Sequence, residues 1–187
     1  MSISQFNFYP TLTPARVVST TNLVGTYSNG PANNAIGATI SAITPSTLTI
    51  DSVILQVGDR ILLPAQSSTL QCGLYIVTNA SSNWIIERTA DFQSNEQMKA
   101  GMSVSIGAGS VNEGATYILV EPLPQHMGVD AIIFETPSNQ LGLGTASTKN
   151  ATDNTKATVA SVNGAFTTGH IVSASDAAGT IQDGGVL

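Results

Sequence analysis

The chain has 187 residues, enough for one well-buried domain with an appendage but tight for two full domains. Only 10% of the residues are charged, and six Lys and Arg against twelve Asp and Glu give a net charge of −6 without a basic cluster. Nucleic acids and anionic membranes bind cationic surfaces, so we expect neither as a partner. A polar surface with so little charge is typical of proteins that contact copies of themselves or other proteins.

Short segments rich in Val, Ile, Leu, Thr and Tyr recur along the first 135 residues, and turn residues such as Gly, Asn and Asp separate them. They lie at 15–18, 36–43, 47–50, 53–57, 60–63, 73–78, 83–88, 102–106, 115–120 and 131–135. Short strands at near-regular spacing predict an all-β domain, a small antiparallel sandwich or barrel, over residues 15–137.

Helical periodicity is nearly absent, and one helix start is visible at Ser94. Its hydroxyl can cap the first turn while the Gln97 side chain reaches back, as in a capping box. Gly101 ends the pattern after about one turn. We therefore predict one short helix between the strands at 83–88 and 102–106.

From residue 138 onward, Gly, Ala, Ser, Thr and Asn replace the apolar runs, and weak strand patterns remain at 157–162 and 170–175. Such a segment buries too little apolar surface to form its own core. We predict an extended C-terminal arm at 138–187 that oligomerises or docks, and an extended segment at 1–14 that docks or adds an edge strand. The side chains expected to contact partners are Phe6, Phe8, Tyr9, Leu141, Leu143, Thr145, Val159, Val162, Phe166, Ile171, Ile181, Val186 and Leu187.

Residues that could carry catalysis are few and poorly placed. His126 and His170 are the imidazole bases, and neither is near a G-x-S-x-G nucleophile elbow. The carboxylates that could form a glycosidase pair are Asp59, Glu87, Asp91 and Glu96. The turn pairs Asp51-Ser52 and Asn112-Glu113 resemble calcium loops but lack alternating oxygen ligands. We therefore predict no enzyme activity, no metal and no cofactor.

Two further residues are predicted to lie in the core. Cys72 is the only cysteine, so it forms no internal disulfide, and a small buried side chain is its ordinary role. Trp84 precedes two isoleucines after a polar turn, which favours a core anchor. The alternative for Trp84 is a ligand platform that lines a carbohydrate groove with Tyr75 and Asp91.

Three sequence motifs, called landmarks below, follow one another along the chain: VGDRILL at 57–63, GLYIVT at 73–78 and WIIERTADF at 84–92. Together with LGLGTASTKN at 141–150, they resemble a module of tail-fibre and related virion proteins of tailed bacteriophages. The resemblance covers residues 15–136 and the start of the arm. The chain departs from the family pattern at Ser52, where Gly is usual, and at Cys72, where Asn is common.

The resemblance implies a structural protein of the virion, assembled in the cytoplasm of the bacterial host. A short tail fibre, a fibre base or an adaptor between fibre and tail would fit it best. Fibre shafts of this family are usually homotrimers whose strands complete one another, so other virion proteins and copies of the chain are the expected partners. Two alternatives stay open: a capsid decoration protein or head fibre, and a carbohydrate-binding module that contacts a host surface glycan.

Overall fold

The computed structural model describes residues 11–140 and two later strands, and it confirms an all-β fold. In chain order the strands are β1 (Val17–Val18), β2 (Thr26–Ser28), β3 (Thr39–Ser41), β4 (Thr49–Ile50), β5 (Val53–Ile54), β6 (Arg60–Leu63), β7 (Gly73–Asn79), β8 (Ile85–Arg88), β9 (Ser103–Ser105), β10 (Thr116–Leu119), β11 (Phe134–Glu135), β12 (Val172–Ala174) and β13 (Ile181–Asp183). One α-helix, α1, spans Pro137–Gln140. Each segment predicted as a strand in the first 135 residues contains one strand, and β2 is additional.

Two sheets and one hairpin make up the first part of the chain. The larger sheet has six strands in the order β1-β6-β7-β8-β3-β2, and the smaller sheet has three in the order β11-β10-β9. β4 and β5 form a separate hairpin. Neighbouring strands are antiparallel except β1 and β6, which run parallel with Val17 opposite Ile61.

The first strand links the two sheets. Leu12 and Ala15 donate backbone hydrogen bonds to carbonyls of Ser103 and Ser105 in β9, at 2.8 and 3.0 Å. Immediately afterwards, β1 pairs with β6. This strand is the exception to an otherwise antiparallel arrangement, because its partners lie more than forty residues away along the chain and no hairpin constrains its direction.

The six-stranded sheet contributes to two cores, one on each face. Successive residues of β6 point to opposite sides, so Leu62 joins one core while Ile61 and Leu63 join the other. The first core contains residues of the three-stranded sheet, including Leu119. The second contains residues of the β4–β5 hairpin region, including Leu55. Burial on both faces explains why β6 reads as a continuous apolar run.

The predicted helix is a single 3₁₀ turn at Asn95–Gln97. The capping box is confirmed, since the Ser94 side chain accepts from the Gln97 backbone and the Gln97 side chain accepts from the Ser94 backbone. The α-helix, in contrast, is α1 at Pro137–Gln140, which was not predicted. No helix of the described residues is long and apolar enough to cross a bilayer.

The chain divides into two compact units, Met1–Ser147 and Thr148–Leu187. In the second unit the described residues form one antiparallel hairpin, in which Ala174 of β12 lies opposite Ile181 of β13. β12 falls inside the weak strand pattern at 170–175, whereas β13 was not predicted.

Candidate functional site

Nearly all the residues predicted to contact partners lie outside the described part of the chain. They are Phe6, Phe8, Tyr9, Leu141, Leu143, Thr145, Val159, Val162, Phe166, Ile171, Val186 and Leu187. Ile181 is described as a strand residue of β13. Their role in assembly stays a prediction.

The aromatic residues considered for a carbohydrate groove are in the core. Trp84 is 4% exposed and its indole nitrogen donates to the Ser46 hydroxyl at 3.3 Å. Tyr75 is fully buried. The core prediction for Trp84 is therefore confirmed, and these two rings do not line an exposed groove with Asp91.

Arg88, from the WIIERTADF landmark, is buried and links two other parts of the chain. Its guanidinium donates to the carbonyls of Cys72 and Leu70 at 2.9 and 3.0 Å and to the Tyr75 hydroxyl at 3.1 Å. It also lies over the Tyr75 ring, 5.1 Å from the centroid. Burial raises the pKa of the Tyr75 hydroxyl, and the positive charge of Arg88 opposes that rise. This landmark arginine therefore ties β8 to β7 and the turn before it.

Cys72 lies beside this link, and its prediction as a core residue is confirmed. Its side chain is 1% exposed. Burial raises the pKa of the thiol, while the backbone at Gln66 and the charge of Arg88 act in the opposite direction. A buried thiol with a raised pKa is a poor nucleophile.

A second link joins the VGDRILL landmark to the end of WIIERTADF. Arg60 donates from both terminal nitrogens to the two carboxylate oxygens of Asp91, each at 3.1 Å. Partial burial raises the pKa of Asp91, but the hydrogen bonds from Arg60 outweigh it and hold that pKa below its usual value. Asp59, next to Arg60, accepts from the Gln56 backbone at 2.8 Å, which is the role of a turn residue.

A concave site, the front groove, lies beside this ion pair. It has a volume of about 450 Å³ and is lined by Arg60, Ile76, Glu87, Arg88, Thr89, Ala90, Asp91 and Gln93. Cross-strand pairing builds its floor, because Ile76 of β7 lies directly between Arg60 of β6 and Glu87 of β8. Residues 89–93, which follow β8, supply its wall.

The front groove brings together two of the carboxylates considered for glycosidase chemistry, Glu87 and Asp91. Retaining and inverting enzymes both need one carboxyl group that is protonated as an acid. Asp91 is instead held ionised by Arg60. The other two candidates, Asp59 and Glu96, do not line this groove. Asp91 is therefore not placed to be that acid.

The two turns that resemble calcium loops lie next to each other, but the carboxylate between them is surrounded by hydrogen-bond donors. The Asp51 carboxylate accepts from the backbone of Val111 and Asn112, from the Asn112 side chain and from the Ser110 hydroxyl, at 2.8 to 3.3 Å. Burial raises its pKa, and these bonds outweigh that effect and lower it. In the described residues no group of three or more His, Cys, Asp or Glu is placed to hold a metal ion.

His126 lies in an exposed loop. Its side chain is 79% exposed, and its Nδ1 lies 3.5 Å from the carboxylate of Asp130. That carboxylate accepts backbone hydrogen bonds from Gln125 and His126 at 2.9 and 2.8 Å, which fixes the loop and lowers the pKa of Asp130. Within the described residues no hydroxyl or thiol hydrogen-bonds to this imidazole. His170 lies outside them.

No protein-family model matches the chain, and no curated protein or solved structure matches it either.

The sequence analysis identified residues from both sides of the front groove, but it did not predict that they lie together. Glu87 and Asp91 were candidates, and Arg60 belonged to a landmark. The missing information was the register that sets Arg60 and Glu87 on either side of Ile76. The signal that could have revealed it is an arginine at the start of one apolar strand, Arg60, and an aspartate three residues after the end of another, Asp91.

Proposed function

We propose that the chain is a structural component of a tailed-bacteriophage virion, as a short tail fibre, a fibre base or an adaptor between fibre and tail. The observation that carries this proposal is that the landmark residues bond to one another. Arg60 of the first landmark holds Asp91 of the third, and Arg88 of the third holds Tyr75 of the second. The residues that carry the resemblance therefore also hold three strands of the domain together.

The second unit supports the assembly part of the proposal. Its described residues form the two-stranded hairpin of β12 and β13. A hairpin of this size is marginally stable by itself in water and needs another surface to pack against. Copies of the chain, arranged as a homotrimer, would supply such a surface, and the low charge of the sequence permits close approach.

Light scattering tests this proposal on the full chain beside a chain that ends at Gln140. Both cores of the first unit lie within residues 12–134, so the shorter chain keeps them. We expect a trimer for the full chain and a monomer for the shorter one. If both are monomers, the arm does not trimerise the chain, and the capsid decoration alternative gains over the fibre.

A further inference from the structure

One edge of the six-stranded sheet is open. β2 is the last strand of that sheet and pairs only with β3 among the described residues. The backbone N–H of Arg88 in β8 donates to the carbonyl of Ala38 at 2.8 Å. That of Ala42 donates to the carbonyl of Trp84 at 3.0 Å. Even-numbered residues of β3 therefore face β8 and odd-numbered ones face β2, because the backbone groups of successive residues in a strand point to opposite sides.

The backbone of Tyr27 faces this open edge. Thr26 and Ser28 lie opposite odd-numbered residues of β3, so their backbone groups bond to that strand. Tyr27 lies between them, so its N–H and C=O point away from β3, and no described residue bonds to either group. The carbonyl of Asn29 accepts from the backbone of Ala35 at 2.9 Å, so the loop after β2 bounds the edge at that end. The edge can therefore accept another strand at Tyr27.

The surface beside the edge is uncharged and carries exposed apolar side chains. No Asp, Glu, Lys or Arg occurs between Arg16 and Asp51, a stretch that contains β2 and β3. Val24 is 67% exposed and Ile43 is 62% exposed, and the β2–β3 register, continued by two residues, sets them opposite each other. Natural sheets often protect an edge with charged side chains, and this edge has none. An uncharged strand with apolar side chains is therefore the occupant that suits it.

The first ten residues of the chain have the composition of such a strand. They lie outside the described residues and read MSISQFNFYP, without a charged side chain. Phe6 and Phe8 alternate with Asn7, so a strand would carry both rings on one face. Leu12, just after the segment, belongs to the core against which Tyr27 packs. Ten extended residues span about 33 Å, about the diameter of a small domain, so the segment is long enough to reach the edge of its own sheet.

We propose that residues 1–10 pair with the open edge of β2 in the same chain and add a seventh strand to the six-stranded sheet. The segment bonds to the backbone of Tyr27, while Phe6 and Phe8 cover the exposed apolar pair beside the edge. The two phenylalanines are then contacts within the domain and not contacts with a partner. This inference takes up the edge-strand alternative for the N-terminal segment, and it does not depend on the virion proposal.

Hydrogen exchange of the backbone amides, followed by NMR, tests this on the full chain and on a chain that begins at Thr11. Both cores lie within residues 12–134, so the shorter chain keeps them. We expect the Tyr27 amide to exchange about tenfold more slowly in the full chain, because there it donates a hydrogen bond. The Ile40 amide faces β8 and should be equally protected in both chains, which shows that both are folded. Equal exchange of the Tyr27 amide in the two chains would overturn the proposal.

Variants and a mixture of chains then assign the contact. Phe6→Ser combined with Phe8→Ser should return the Tyr27 amide to fast exchange, whereas Asn7→Ser, on the other side of the strand, should leave it slow. Slow exchange in the double variant would refute the contact of the two rings. Isotope-labelled chain that begins at Thr11 is also refolded from urea together with unlabelled full chain, and its Tyr27 amide should stay fast. Slow exchange there would show that the strand comes from a neighbouring copy, and it would contradict pairing within one chain.

Discussion

Replacing Arg88 with Ala tests whether the buried guanidinium holds the landmark strands together. The Arg88 side chain is 2% exposed, and it donates to Cys72 and Leu70 carbonyls and the Tyr75 hydroxyl at 2.9, 3.0 and 3.1 Å. No carboxylate pairs with it among the described residues. The substitution therefore leaves three interior acceptors without this donor.

The expected change in the free energy of unfolding is the difference between opposing contributions. Three hydrogen bonds to a charged group are together worth at least about 4.5 kcal/mol, and the two lost methylenes add about 1.6 kcal/mol. Removing a buried charge that has no counterion returns several kcal/mol of desolvation cost. We expect a net loss of about 3 kcal/mol in the free energy of unfolding for Arg88→Ala, and about half of that for Arg88→Met, which keeps the stem.

Urea unfolding, followed by tryptophan fluorescence, measures these losses, because Trp84 is the only tryptophan and lies in the second core. Arg16→Ala is the matched control, since its guanidinium pairs with Asp59 at 3.1 Å but is 46% exposed, and it should cost less than about 1 kcal/mol. If the free energy of unfolding of Arg88→Ala lies within about 0.5 kcal/mol of that of the unchanged chain, the guanidinium does not hold the landmark strands together.

Three further predictions concern the Asp51 contact and the buried thiol. Gly109 has φ +137°, and a Cβ there would collide with the Asp51 carboxylate, so Gly109→Ala should lower the free energy of unfolding by about 2 kcal/mol; a urea midpoint equal to that of the unchanged chain would contradict this. The folded-state pKa of Asp51 is lowered from 3.8, so its stabilisation is present above pH 3.8 and is lost as the pH falls through the lowered value. Melting temperature should therefore fall more steeply below pH 4 in the unchanged chain than in Asp51→Asn, and parallel profiles would refute that. The Cys72 thiol should react with a disulfide reagent in urea but only slowly in the folded chain, and fast reaction of the folded chain would show that it is accessible.

Local patterns predicted most strands because each carries its own signal. Val, Ile and Leu between turn residues mark a strand whatever its partner is. β2 was missed because Thr26–Ser28 is mostly exposed and only Tyr27 contributes to the cores. The parallel pairing of β1 was missed because strand direction depends on a contact with a distant strand, and no short-range pattern encodes it.

The core residues of the site region could be predicted, but the front groove could not. Trp84 and Cys72 were identified from their surroundings in the sequence. The groove depends on the register that sets Arg60 and Glu87 beside Ile76, and a shift of β7 by one residue would turn Ile76 to the other face. The helix α1 has four residues, which is too short for helical periodicity to appear.

The most direct test of the virion proposal is to locate the chain in particles. Particles would be purified from lysates of the cells that produce it, and gold-coupled antibodies against residues 11–140 would be imaged by electron microscopy. The account predicts that the chain sediments with tailed particles and that the gold lies on the tail or its fibres. Gold on the capsid would contradict the fibre assignment, and a chain that stays in the supernatant would contradict the virion proposal itself.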